Sequence, residues 1–158
     1  TIRRLIPQAT VFTDIIVGFT GETDEQFENT RRIMDEFKYN MAYIAQYSVR
    51  PGAASSRWAD DVPKDVKSER YHQLSTDLRR HTAVHNHNMI GKTFRVLVTG
   101  HDRKDGYLSA LTEGKIVCRF ASADESLIGQ FTNLKISSST DFSVEGELVL
   151  TKPEPVEK

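Results

Sequence analysis

The chain has 158 residues, enough for one domain or two small ones, and its 21 basic and 22 acidic side chains leave a formal net charge of −1. That balance excludes a bulk electrostatic attraction to nucleic acid or membrane, and no apolar run approaches the ~20 residues needed to cross a bilayer. The single cysteine, Cys118, excludes an internal disulfide and sets the expected compartment as reducing and cytoplasmic.

The first element is Thr13–Thr23, TDIIVGFTGET. Ile15, Ile16 and Val17 form a continuous apolar run, which predicts a parallel strand covered on both faces. Gly18 and Gly21 follow where the strand ends. They either admit a ligand close to the backbone or simply make a tight strand-to-helix turn. A strand so soon after Thr1 predicts that the sequence enters a fold part-way through. Thr23 with Gln26 reads as a capping box, and Asp24 and Glu25 suit the first turn of a helix. Phe27, Ile33, Met34 and Phe37 recur at helical spacing and are the predicted buried stripe.

Tyr39–Tyr47 is the second predicted strand, ending in Ser48-Val49-Arg50-Pro51-Gly52, where Pro-Gly signals a turn. Ala53–Asp61 is a polar, small-residue loop in which Trp58 is the expected anchor. Pro63 opens a long helix that runs to the late eighties with Tyr71, Leu74 and Leu78 on one face. His81, His85 and His87 crowd its end. His81 and His85 share the leucine face, but no H-E-x-x-H arrangement accompanies them, so a helix end favoured by the dipole is expected rather than a metal site.

The texture changes at Met89–Gly91. Short alternating strands follow at Thr93–Thr99, Tyr107–Leu111, Lys115–Phe120, Phe131–Ser137 and Phe142–Leu150, with turns at Asp105-Gly106 and Glu113-Gly114. Five short strands in about sixty residues predict a small β-barrel of the oligonucleotide-binding kind. Cys118, in phase with Ile116 and Phe120, is expected to be a small buried hydrophobe. Thr151–Lys158 reads as a disordered tail.

Several motifs together carry a family resemblance. TDIIVGFTGET resembles the TDIIVGFPGET segment of the radical-SAM methylthiotransferases, with Thr20 where proline is usual. Gln46–Ser55, QYSVRPGAAS, resembles their YSxRPGTPA segment. Val62–Leu74, VPKDVKSERYHQL, resembles the helix that follows, and Gly91–Gly100, Gly129–Ile136 and Glu145–Leu148 resemble a TRAM domain. The fold implied is α/β, the last strand–helix units of a radical-SAM partial TIM barrel over 1–89. A small all-β, OB-like TRAM barrel follows over 90–150.

The resemblance implies a parent enzyme that adds a methylthio group to isopentenyladenosine next to the tRNA anticodon. Arg50 before Pro51-Gly52 favours that branch over the one acting on a ribosomal-protein aspartate. The branch acting on threonylcarbamoyladenosine and a stand-alone RNA-binding TRAM protein remain alternatives. The implied cofactors are S-adenosylmethionine and two 4Fe–4S clusters, which need a C-x-x-x-C-x-x-C motif and three further cysteines. With Cys118 alone the chain is expected to bind neither cluster, to hold no metal and to be inactive as a C-terminal fragment.

Ile16, Gly18, Phe19, Gly21, Glu22 and Arg50 are the implied cofactor-binding residues. Glu22 accepts from a ribose or amine, or serves the helix dipole; Arg50 pairs with a carboxylate or phosphate, or is a surface arginine. The implied partner is tRNA, met by Lys92, Arg95, His101, Arg103, Lys104, Tyr107, Lys115, Arg119 and Phe120. Residues 91–150 carry seven Lys/Arg against eight Asp/Glu, so those cations must be segregated on one face. No membrane partner is expected, and dimerisation through exposed strand edges is a further possibility.

Overall fold

The computed structural model describes residues 2–149. Its elements, in order, are α1 (Ile2–Leu5), β1 (Phe12–Val17), α2 (Asp24–Phe37), β2 (Met41–Gln46), a 3-10 turn (Ala54–Arg57), α3 (Lys64–His87), β3 (Thr93–His101), β4 (Tyr107–Thr112), β5 (Val117–Ala121), a second 3-10 turn (Glu125–Leu127), β6 (Phe131–Ser139) and β7 (Val144–Leu148). They form two units, one of residues 10–82 and one of the described residues 2–9 and 83–149. The expected end of the last strand at Leu150 and the predicted tail Thr151–Lys158 lie outside the described residues.

In the first unit β1 and β2 pair in parallel, from Phe12 opposite Met41 to Val17 opposite Gln46. The predicted capping box starts α2: the Gln26 N–H donates to Thr23 Oγ1 at 3.2 Å and the Thr23 N–H to Gln26 Oε1 at 3.0 Å. The core is Val17, Phe27, Met34, Ala42, Leu74 and Leu78. Two expectations fail here for one reason. Ile33 and Phe37 are close to half exposed, as is Ile16 on the strand predicted to be covered on both faces. A sheet of two strands offers the helices only one narrow face, so Phe27 and Met34 fill it and the flanks of α2 stay wet.

The second unit is a closed five-stranded barrel in the order β3-β4-β5-β7-β6, antiparallel except where β5 meets β7. Alternation puts Val96, Val98, Leu108, Ala110, Cys118, Phe120, Leu134, Ile136 and Val144 inside. Cys118 is fully buried, as its phase requires, and burial pushes its thiol up to about 12. Closure leaves the barrel no free edge, and among the described residues the open strand edges are those of β1 and β2. The turn after β4 falls at Glu113-Gly114 as expected, and Lys115, which follows it, takes the left-handed conformation (φ 61°).

Gly146 shows how tightly the barrel closes. A Cβ built there would stand 2.8 Å from the Lys135 carbonyl oxygen, which belongs to the paired backbone of β6 and cannot swing away. Gly146→Ala is therefore expected to destabilise the barrel by about 1–3 kcal/mol, read as a lower thermal midpoint; an unchanged midpoint would show that the seam can give.

Candidate functional site

The six predicted cofactor residues fall into two groups. Ile16, Phe19 and Arg50 line one hollow of about 200 Å³ at the C-terminal ends of β1 and β2, together with Gln46, Tyr47 and Ser55. Phe19 lies edge-on to Tyr47 with ring centroids 4.8 Å apart and edge-on to Trp58 at 6.0 Å. Trp58 is 54% exposed, so it anchors its loop through this one edge contact rather than by burial. The lining thus brings two aromatic rings, Phe19 and Tyr47, together with one cation, Arg50, a combination suited to a flat heterocycle bearing a carboxylate or phosphate.

Gly18, Gly21 and Glu22 do not line that hollow. Both glycines have positive φ, as the turn requires. A Cβ on Gly18 would meet Lys67 Cγ at 2.3 Å, so the space left by the missing side chain holds this chain's own lysine stem. The Gly21 N–H donates to Asp61 Oδ1 at 2.8 Å. Glu22 is also engaged internally, accepting from the Gly18 N–H at 2.7 Å and from Arg70 Nη1 at 2.7 Å. These bonds make Glu22 a bracket that ties the strand end to α3, a role outside the two expected of it. Thr20, standing where the family carries proline, has a buried hydroxyl with no hydrogen-bond partner, a defect a proline would not have.

Sequence reasoning missed the residues that build this bracket. Lys67 and Arg70 are both at most 5% exposed, an unusual state for cations. Arg70 reaches Glu22, Asp24 and the Glu22 carbonyl, with its guanidinium over the Phe27 ring. Lys67 Nζ donates to Asp60 and to the Tyr47 carbonyl, and lies over the Tyr47 ring. The available signal was their spacing: positions 67, 70, 74 and 78 share one helix face, and two cations on a leucine face need buried partners.

His81 continues that face, is 5% exposed, and lies 3.1 Å through Nε2 from Asp35 Oδ1. This bond is the leading reason the Asp35 carboxyl sits below its ordinary range. Among the described residues no group of three or more His, Cys, Asp or Glu is arranged to hold a metal ion. The donor chemistry likewise does not suit an iron–sulfur cluster, because the sole thiol, Cys118, is buried and held protonated.

The predicted RNA residues are spread over the barrel. Lys104, Tyr107 and Arg119 converge on Glu145 of β7: Arg119 Nε donates at 2.9 Å, the Tyr107 hydroxyl at 3.3 Å, and Lys104 Nζ lies 3.6 Å away and over the Tyr107 ring. Burial alone would push the Glu145 carboxyl up. The Arg119 hydrogen bond and the charges of Lys104 and Arg119 outweigh it, and the carboxyl lies below its ordinary range. Asp102, also lowered, accepts from the Lys104 N–H and Ser109, so two cations face two carboxylates in this corner.

His101 and Arg103 are exposed beside that corner, and His101 is 3.7 Å from Glu125. Lys115 lies in the turn at the opposite end of β4, and Lys92 is exposed just before β3. Arg95 stands on the outer face of β3 with its guanidinium 4.1 Å from the centroid of Phe131, a ring not predicted to take part. Phe120 is a correction: it is 0% exposed in the barrel core, and its ring cannot reach a base.

Comparison with known proteins fits both units. Residues 87–149 match the TRAM domain family. The chain is 39% identical over 153 residues to the tRNA-2-methylthio-N(6)-dimethylallyladenosine synthase of Burkholderia thailandensis, covering 94% of this chain and 34% of that enzyme. Enzymes of the same name from Burkholderia mallei and Burkholderia pseudomallei are 38% identical over the same coverage. The chain spans about a third of the length of the curated relatives it matches. The resemblance carried by TDIIVGFTGET, QYSVRPGAAS and the barrel is thus borne out.

Two outcomes follow from the side chains. Arg70→Ala leaves the partly buried Glu22 without its cation and is expected to destabilise the first unit by about 1–3 kcal/mol in chemical denaturation. The Glu145 carboxyl is lowered in the folded state. Its stabilising contribution is therefore present above its unfolded pKa and is lost as pH falls through the folded value. Glu145→Gln should flatten the acid limb of the barrel's stability curve, and an unchanged limb would show that the corner does not report on folding.

Proposed function

We propose that this chain supplies the closing strand–helix units of a radical-SAM core (1–89) and the TRAM barrel (90–150) of a cytoplasmic tRNA methylthiotransferase. The substrate in this reading is isopentenyladenosine next to the anticodon, and the barrel holds the tRNA. The observation that carries it is the reach of the similarity, 94% of the chain at 39% identity, rather than the TRAM segment alone. A stand-alone RNA-binding module would not need the strand-end hollow or the bracket behind it. Arg50, in the lining of that hollow, matches the tRNA branch of the resemblance.

In this reading S-adenosylmethionine meets Ile16, Phe19 and Arg50, while Gly18, Gly21 and Glu22 hold the loop in shape without touching it. The iron–sulfur clusters take their thiolates from residues other than those of this chain, which is inactive alone. Weak, phosphate-led tRNA binding is what remains to it.

Filter binding of the chain to bulk tRNA is expected to be detectable at low salt and to fall steeply with added NaCl, as counterion release requires. In a strain lacking the synthase, this segment joined to the cluster-binding part of a related synthase should restore the 2-methylthio mass shift on dimethylallyladenosine, and the segment alone should not. A shift on threonylcarbamoyladenosine instead would reassign the substrate, and no binding at any salt would remove the tRNA role of the barrel.

A further inference from the structure

We infer that the outer face of β3 and β6 is a stacking site for an unpaired nucleobase of RNA, with Phe131 as the platform and Arg95 and Lys135 as its phosphate partners. The inference rests on the RNA-binding reading above and names the face and the aromatic platform, neither of which the predicted residues gave.

Phe131 is 56% exposed at the start of β6, directly opposite Leu97 of β3. Burying such a ring is favourable, so leaving it on the surface of a closed barrel calls for a partner. The Arg95 guanidinium lies 4.1 Å from its centroid, and with that cation in place the residue is still more than half exposed. The register places Arg95 opposite Asn133 and Thr93 opposite Lys135, so aromatic, amide and two cations share one outer surface. Their parity is fixed by Val96, Val98, Leu134 and Ile136, which point inward and are at most 1% exposed.

The electrostatics separate this face from the Glu145 corner. There, the cations are held by carboxylates that are themselves partly buried. Here Lys135 stands opposite Glu147 of β7, and the ion pair of Arg95 among the described residues is with Glu113, at 3.8 Å, with both side chains more than half exposed. A pair of that kind is weak and yields to an incoming phosphate. A base offers a flat π surface to the open side of Phe131, and the adjoining phosphates offer charge to Arg95 and Lys135. Duplex RNA keeps its base faces stacked internally and cannot use the ring. One exposed ring flanked by cations also differs from the continuous apolar patch by which a protein docks.

The test is fluorescence anisotropy of the full chain at low salt with a labelled single-stranded 12-nucleotide oligoadenylate and a blunt RNA duplex of equal length. Phe131→Ala should weaken single-strand binding ~10-fold with little change for the duplex, and Phe131→Trp should retain it. Arg95→Met should weaken binding and lower the salt slope by about 1. The ring is exposed, so the thermal midpoint should not move. Phe131→Ala binding as tightly as the wild type, with Lys104→Met/Arg119→Met losing affinity instead, would move the RNA to the Glu145 corner and overturn the inference alone. So would a Phe131→Ala chain that loses self-association but keeps its RNA affinity, since the face would then join two copies. A wild type that binds neither RNA would sink the underlying RNA reading, a result distinct from equal binding by both proteins.

Discussion

The barrel depends on its shortest seam. Four of its five strand pairings are antiparallel ladders, whereas β5 and β7 meet in parallel over only Cys118–Val144 and Arg119–Glu145. Remove that seam and the sheet opens, exposing two edges and the inward side chains. The first residue pair of the seam is fully apolar and buried. The second is the Arg119–Glu145 ion pair, which faces outward. Gly146, next in line, lets β7 lie close against β6 on the other side. Core packing, electrostatics and backbone approach therefore act on three consecutive residues, 144–146.

This arrangement constrains function. Because Arg119 and Lys104 are engaged with Glu145, cations that look available by composition are committed to closure. A phosphate could draw them off only by weakening the seam. The cost falls on folding as well as on binding, which favours leaving RNA contacts to strands whose pairing is secure. β3 pairs with β6 over Thr93–Leu97 and with β4 over Val96–His101, both antiparallel ladders longer than the β5–β7 seam, so side chains on its outer face can engage a ligand without drawing on that seam.

How much of this was legible in the sequence differs by element. The capping box at Thr23, the glycine turn and the strand alternation of the barrel depend on local pattern, and they appear where the pattern puts them. Cys118 and its neighbours were placed correctly inside because a period of two fixes a face. The same logic applied to Phe120 excludes it from RNA contact, and including it among basic neighbours ignored its phase. Ile33 and Phe37 misled because helical spacing reveals an apolar stripe but not the width of the surface that will cover it. Lys67 and Arg70 were missed because composition treats a cation as surface. Their partners, Asp60, Glu22 and Asp24, are supplied by segments distant in sequence or by loops.

The two units thus treat charge in opposite ways. In the first, buried cations are used to hold loops, and the strand-end hollow is lined without them, by Phe19, Tyr47 and small or polar residues with Arg50 as its one cation. In the second, charge is nearly cancelled overall, and an aromatic ring, Phe131, stands exposed on the outer face beside Arg95. A neutral barrel has little long-range attraction for a polyanion, so its affinity must come from contact rather than steering. Stacking supplies contact energy that salt does not screen, whereas phosphate pairing supplies energy that salt removes. A barrel that combines one exposed ring with two nearby cations would keep part of its hold on RNA at physiological ionic strength, and one built from phosphate contacts alone would not.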